Sequence, residues 1–239
     1  MIEYIEVEGI GRVRLSRRRG ARSIRLSVTQ NGEVRLSVPF RMALKDGLKF
    51  LEQKREWLQE HQTEESFLDN GARIGKSHTL LILTTLTSSK VTTIITSDTL
   101  MVRIPDNMDG ETVQKKLNQA ALKVLKKEAE SLLPQQLTHY AKTYGYSVNS
   151  IEVKPLQSRW GSCSNRGDIV LNSYLMQIPW PLIDYVLLHE LAHLHHHDHS
   201  DRFWADVQKM LPDYKARRKA LKKYPTAVFD AREAERYMS

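Results

Sequence analysis

Apolar and polar residues alternate with a period of two early in the chain. Ile24, Leu26 and Val28 are interleaved with Arg25 and Ser27, and the rhythm resumes at Val34, Leu36 and Val38. Successive side chains of a strand point to opposite faces, so this period predicts two half-buried strands, joined as a hairpin by Asn31-Gly32. Pro39 ends the run. Leu44, Leu48, Leu51 and Leu58 then recur at helical spacing through a segment rich in Lys and Glu, which predicts one amphipathic helix. A polar stretch over 63–75 reads as a loop, and three β-branched runs at 80–86, 91–96 and 100–104 predict sequential antiparallel strands. From Glu111 the spacing turns helical again through Val113, Leu117, Ala121, Val124 and Leu125. Pro134 lacks a backbone N–H and is expected to kink or interrupt that helix.

The second half continues with strands at 151–153 and 169–173, separated by a loop over 157–166. Helices follow to about Lys223, and the last 15 residues have the charge and low apolarity of a loose tail. The expected class is α+β. A β-rich N-terminal region with one helix occupies 1–106, and a second region over 107–239 carries the histidines described below. No internal repeat is visible in the residues.

A chain of 239 residues that is 41% hydrophobic and 27% charged has the composition of a folded globular protein. Its longest apolar stretches, such as 80–83, fall well short of a membrane span. The start, Met1-Ile2-Glu3-Tyr4-Ile5-Glu6, is acidic where a secretory signal is basic, so the expected location is cytoplasmic. A single cysteine, Cys163, rules out an intrachain disulfide and leaves histidine and carboxylate as the metal ligands available. The formal charge of +8 favours encounters with nucleic acid or acidic proteins, though a solvated basic surface explains it as well.

Six of the nine histidines, His189, His193, His195, His196, His197 and His199, fall within eleven residues. Residues four apart on a helix share a face, so His189 and His193 can aim their rings at one ion. Glu190 projects beside them, placed to act on water rather than on the metal. This is the physical content of an HExxH motif. Ile183, Val186, Leu187, Leu191 and Leu194 surround the motif with apolar side chains, and Pro181 suits a first helical turn. Buried polar groups in such a helix are costly unless partnered, and a bound ion supplies the partner; a core helix with hydrogen-bonded histidines is the plain alternative.

Catalytic zinc takes three protein ligands and keeps one position for water. His199 is the expected third. Six residues of continued helix would carry it about 9 Å from His193, so the chain must turn back soon after His193. The metzincin pattern places glycine at that turn, where this chain has His196, a residue tolerant of left-handed backbone angles. His195, His196 and His197, and the downstream acids Asp206, Glu233 and Glu235, compete for the role. Three adjacent histidines also resemble a loose, tag-like metal binder.

Four segments then coincide in order and spacing: Gln157-Ser158-Arg159-Trp160-Gly161-Ser162-Cys163-Ser164, Ile169-Val170-Leu171-Asn172, Tyr185-Val186-Leu187-Leu188-His189-Glu190-Leu191-Ala192-His193-Leu194, and His199-Ser200 with Phe203-Trp204. Together with Ser23-Ile24-Arg25-Leu26, Pro39 and Trp57, they resemble the YgjP-like metallopeptidases, relatives of the SprT-like and WLM zincins, over nearly the whole chain. The resemblance implies a compact zincin-like core with an HExxH active-site helix, zinc on His189, His193 and His199, and Glu190 as general base. The family pattern also lacks the metzincin glycine.

The expected activity is hydrolysis of peptide bonds in a peptide or protein substrate. Arg159 either lines the cleft, polarising a carbonyl or gripping a carboxylate, or forms a packing corner. Asn172 is expected beside a substrate paired to the edge of the 169–173 strand. Three rivals remain. One is a zinc hydrolase of non-peptide amides or esters, and another is a structural zinc protein, against which Glu190 argues. The third is a DNA- or nucleoprotein-associated factor working through Arg12, Arg14, Arg17, Arg18, Arg19 and Arg22.

Overall fold

The computed structural model describes residues 2–28, 34–61, 68–156, 158–224 and 226. It divides into two compact units, Met1–Ser66 and Phe67–Ser239. The division expected at 106/107 falls inside the second unit, where the strands before it and the helix after it share one core.

In the first unit, β1 (Ile2–Val7), β2 (Gly11–Arg18), β3 (Arg25–Val28) and β4 (Val34–Pro39) form a sheet ordered β1-β2-β4-β3. The hairpin expected from the alternation is present, with Val28 opposite Val34 and Leu26 opposite Leu36. Its turn, Asn31-Gly32, lies outside the described residues. Because β3 lies outside β4, β2 and β4 become parallel neighbours. Val13, Leu15, Val34, Leu36 and Val38 are buried on one face with Leu51 and Leu58. The single expected helix is two, α1 (Leu44–Gln53) and α2 (Arg55–His61). The break follows Gln53, and Arg55 folds back onto the Glu52 carboxylate at 2.6 Å and 2.7 Å. Gly47 lets α1 close on the sheet, since a methyl there would meet Val38 at 3.3 Å and Leu36 at 3.4 Å.

The second unit opens with β5 (Arg73–Ile74), β6 (His78–Thr85), β7 (Thr92–Ile95) and β8 (Thr99–Pro105), ordered β5-β6-β8-β7. The three expected sequential antiparallel strands are therefore corrected: β6 pairs with β8, in parallel, and only β7 and β8 are antiparallel. This wiring repeats that of the first sheet strand for strand, with no matching repeat of residues. Buried alternation is all that either sheet requires, and many sequences supply it.

Next comes α3 (Gly110–Tyr144), capped by the Asp109 carboxylate accepting from Thr112 N at 2.9 Å and ended by Gly145 at φ 76°. Of the two outcomes expected at Pro134, a kink or an interruption, the interruption does not occur. Proline removes one intrahelical hydrogen bond, and packing on both sides, with Leu133 and Leu137 fully buried, holds the helix through the defect.

The remaining strands, β9 (Ser150–Lys154), β10 (Gly161–Cys163) and β11 (Asp168–Asn172), order as β10-β11-β9. A 3-10 turn (Ser173–Gln177) leads to α4 (Trp180–Ala192), α5 (Asp201–Met210) and α6 (Tyr214–Leu221). Leu182, Ile183, Val186, Leu187, Leu188 and Leu191 bury α4 almost all round, each contributing about 1.5–3 kcal/mol. Pro181 sits in its first turn as expected. The tail expected at the C-terminus falls from 227 onward outside the described residues, with Glu233 and Glu235. Among the described residues no helix is long and apolar enough to cross a membrane.

Candidate active site

Helix α4 delivers His189 and Glu190 on its last turn, and His193 is its C-cap. The turn back that His199 requires is made without any left-handed non-glycine residue, so the tolerance of His196 for such angles is not called on. The helix instead tightens: Leu194 N donates to Leu191 O at 3.0 Å, and the N–H groups of His195 and His196 both converge on Ala192 O at 3.2 Å and 3.1 Å. The 3-10-type bonds narrow the last turn and release the chain towards Ser200, the N-cap of α5.

His189, His193 and His199 are thereby brought together, with one ligand nitrogen from each lying within 4.8 Å of the others. Nε2 of His189 and Nε2 of His199 stand 3.2 Å apart. Two nitrogens each about 2.0–2.1 Å from one tetrahedral ion have about that separation. His193 Nδ1 donates to the His196 carbonyl at 2.9 Å, which leaves its Nε2 with a free lone pair. His189 Nδ1 is buried without a hydrogen-bond partner, and packing fixes that ring instead. Tyr185 lies at 5.7 Å, and Phe203, fully buried, stands 4.9, 4.5 and 4.8 Å from the rings of His189, His193 and His199. Burial, reinforced by the neighbouring imidazoles, drives the His189 pKa down to about 3, and burial also lowers that of His193. Neutral rings with exposed lone pairs are what a metal ligand needs.

Glu190 is 5% exposed. Burial pushes its carboxyl up to about 8, and the positive charge of Arg159 partly offsets this. Across from it lies β10: a methyl on Gly161 would fall 2.8 Å from Glu190 Cγ and from Oε1. Arg159 itself is exposed.

Asn172 is fully buried, not at a surface. Its Oδ1 accepts from Leu156 N and Tyr174 N at 3.2 and 3.1 Å, and its Nδ2 donates to the carbonyls of Leu156 and Arg159 at 2.9 Å each. With its amide fully engaged, Asn172 pins the loop that carries Arg159. The edge reading of 169–173 is also corrected, since β11 is the central strand and the outer one is β10.

Two histidines of the run have partners. His195 stacks 4.6 Å from Tyr146, and His196 Nε2 lies 2.9 Å from the Asp206 carboxylate. Asp206, weighed as a ligand, thus anchors the loop whose carbonyl orients His193. Sequence reasoning gave no role to Gly161, Asp206 as an anchor, or Arg218, whose guanidinium covers Trp204 at 4.5 Å. The signal for the aromatic floor was present in the spacing of Phe203 and Trp204 after His199.

Three imidazoles around one point, with a buried carboxylate beside them, form a group that could hold a metal ion. A model of the YgjP-like metallopeptidase domain matches residues 22–224, and the chain belongs to this family. It is accordingly a hydrolase of the metallopeptidase class, which implies a divalent metal and peptide substrates. Two solved metallopeptidase zymogens are similar over part of the chain. Abylysin of Pyrococcus abyssi shares 27% identity over 38% of this chain and 94% of its own, with a TM-score of 0.35. Jannalysin of Methanocaldococcus jannaschii shares 23% over 37% of this chain and 90% of its own, with a TM-score of 0.33. No curated protein matches.

Proposed function

We propose that the chain is a zinc peptidase built on a zincin-like core, with α4 as its HExxH active-site helix. In this reading His189, His193 and His199 hold the ion and Glu190 is the general base. The observation that carries it is the convergence of three imidazole nitrogens within 4.8 Å beside a buried carboxyl whose proton affinity is raised by burial. The donor set suits zinc, which favours nitrogen ligands in a tetrahedron. Bound there, zinc supplies Lewis acidity to a peptide carbonyl and to water.

The chain's own groups do the rest. Glu190 takes a proton from the attacking water and returns it to the leaving amine; a carboxyl raised towards neutrality suits both halves of that exchange. An extended peptide adds to the outer edge of β10, so its backbone is held by main-chain hydrogen bonds next to Glu190. Arg159 grips a substrate carbonyl or carboxylate, and Asn172 acts through it as a positioning residue.

Glu190→Gln tests the reading, because it keeps shape and removes the proton acceptor. Cleavage of a casein-derived fluorogenic peptide is expected to fall at least about a hundredfold, with zinc content and Tm nearly unchanged. Equal rates for the two fully loaded proteins refute the assignment.

A further inference from the structure

The arginines of the first unit are left without a role by the peptidase site, and the sheet arranges them. Strand alternation puts Arg12, Arg14 and Arg18 of β2, Arg35 of β4 and Arg25 of β3 on the face opposite the one that buries Val13, Leu15 and Leu36. The registers align them in ranks. Tyr4, Arg14, Arg35 and Ser27 run across all four strands, and Ser16, Ser37 and Arg25 form the rank beside them. Arg17 faces the other way and donates to the Met42 carbonyl at 2.8 Å, so it leaves the basic surface that the sequence suggested. Among the described residues of these strands one acid, Glu6, shares the face, opposite Arg12.

Two exposed aromatic rings accompany the charges. Of these, Tyr4 shares the arginine face: it is 52% exposed, with Arg12 lying 4.3 Å from its centroid, whereas Phe40, 46% exposed with Arg19 at 5.1 Å, follows Val38 by two residues and falls with the other face. Arg14 Nε is withdrawn from solvent with no hydrogen-bond partner, a donor in mid-face lacking an acceptor.

We propose that this open sheet face binds single-stranded nucleic acid, with the guanidinium ranks on the phosphodiester backbone and a base stacked at Tyr4. Guanidinium forks match phosphate oxygens in pairs, the serine hydroxyls add donors, and an aromatic ring accepts any base. A shallow sheet face suits splayed single strands, whereas a duplex offers no exposed base faces to stack. An acidic protein would satisfy the charges but has no use for the exposed ring of Tyr4.

The test is fluorescence anisotropy of the full zinc-loaded chain with a labelled oligothymidylate. Five phosphate contacts predict a log–log salt slope of about −3.5, or roughly a hundredfold weakening from about 50 to 200 mM salt. Arg14→Gln/Arg25→Gln/Arg35→Gln should reduce that slope by about 2. Tyr4→Ala should weaken binding about fivefold or more. Circular dichroism and Tm establish that each variant is folded, and the corresponding Lys triple variant should retain most of the salt dependence. An unchanged slope in the folded Gln variant overturns the proposal. So does duplex binding as tight as single-strand binding, or competition by polyglutamate equal to that of unlabelled oligothymidylate, which would point to an acidic protein.

Discussion

Replacing Gly161 by Ala is a one-methyl perturbation of Glu190, the proposed general base, delivered from the opposite element. The new Cβ would lie 2.8 Å from Glu190 Cγ and Oε1 and 3.0 Å from Cδ. Carbon atoms in ordinary contact are about 3.5–4.0 Å apart, so the Glu190 side chain or β10 must shift by roughly 0.7 Å or more. The Gly161 backbone has no positive φ, so alanine meets no left-handed strain and the effect is purely one of contact. Overpacking typically costs about 1–3 kcal/mol, offset by about 0.4–1 kcal/mol from the stiffer unfolded chain. The folded protein should therefore survive with a Tm a few degrees lower. Activity should not, because a misplacement of about 1 Å in a catalytic group costs on the order of a hundredfold. The assay is kcat/KM on the fluorogenic peptide, with zinc counted per chain. Added to Glu190→Gln, Gly161→Ala should cost much less than it does alone, because both remove the same proton transfer. Wild-type activity in zinc-loaded Gly161→Ala, or full additivity in the double variant, would show that the close approach of β10 to Glu190 does not govern the chemistry.

Three further outcomes are expected. His199→Ala should lower tightly bound zinc sharply, read by metal content after dialysis, and chelation should abolish wild-type activity; one tight zinc retained in His199→Ala removes it from the ligand set. Asp206→Asn weakens the anchor on His196 and so the carbonyl that orients His193, and loss of such outer partners typically costs about 10–100-fold in metal affinity; competition with a chromophoric chelator measures it, and unchanged affinity refutes the role. Burial lowers the Lys76 pKa to about 8, so from about pH 8 to 10.5 the unfolded chain holds more protons and stability due to this group rises with pH. Subtracting the pH–stability curve of Lys76→Met isolates that rise, and parallel curves for the two proteins contradict it.

What was legible in the sequence was local. The β3–β4 hairpin follows from alternation, and the placement of His189 and Glu190 follows from the pitch of a helix. Their company with His199 was readable because all three lie on a short stretch of chain. Less legible was everything set by pairing between distant segments. Leu80 and Leu100 have the same apolar character whether β6 joins β7 or β8, so the parallel pair was invisible. Pro134 has a local penalty, but the packing of Leu133 and Leu137 that overrides it is tertiary. Asn172 read as a residue beside the substrate because nothing local reveals that its amide is bonded to Leu156 and Arg159. The turn after His193 was expected to need unusual backbone angles, and a tightened helix end does the work with ordinary ones.

The two four-stranded sheets share one wiring diagram, and each is followed by a helix, so the chain contains its own side-by-side comparison of what a module becomes. The helix after the first sheet stops at 10 residues. The helix after the second runs for 35, about 52 Å at 1.5 Å per residue, twice the roughly 26 Å of its eight-residue strand β6. It therefore outruns its own sheet and goes on to meet β9 and the 3-10 turn, the scaffolding directly ahead of α4. Helix length thus separates the two: the longer helix ties its sheet to the strand and turn that lead into α4, and the shorter stays within the core of its own sheet.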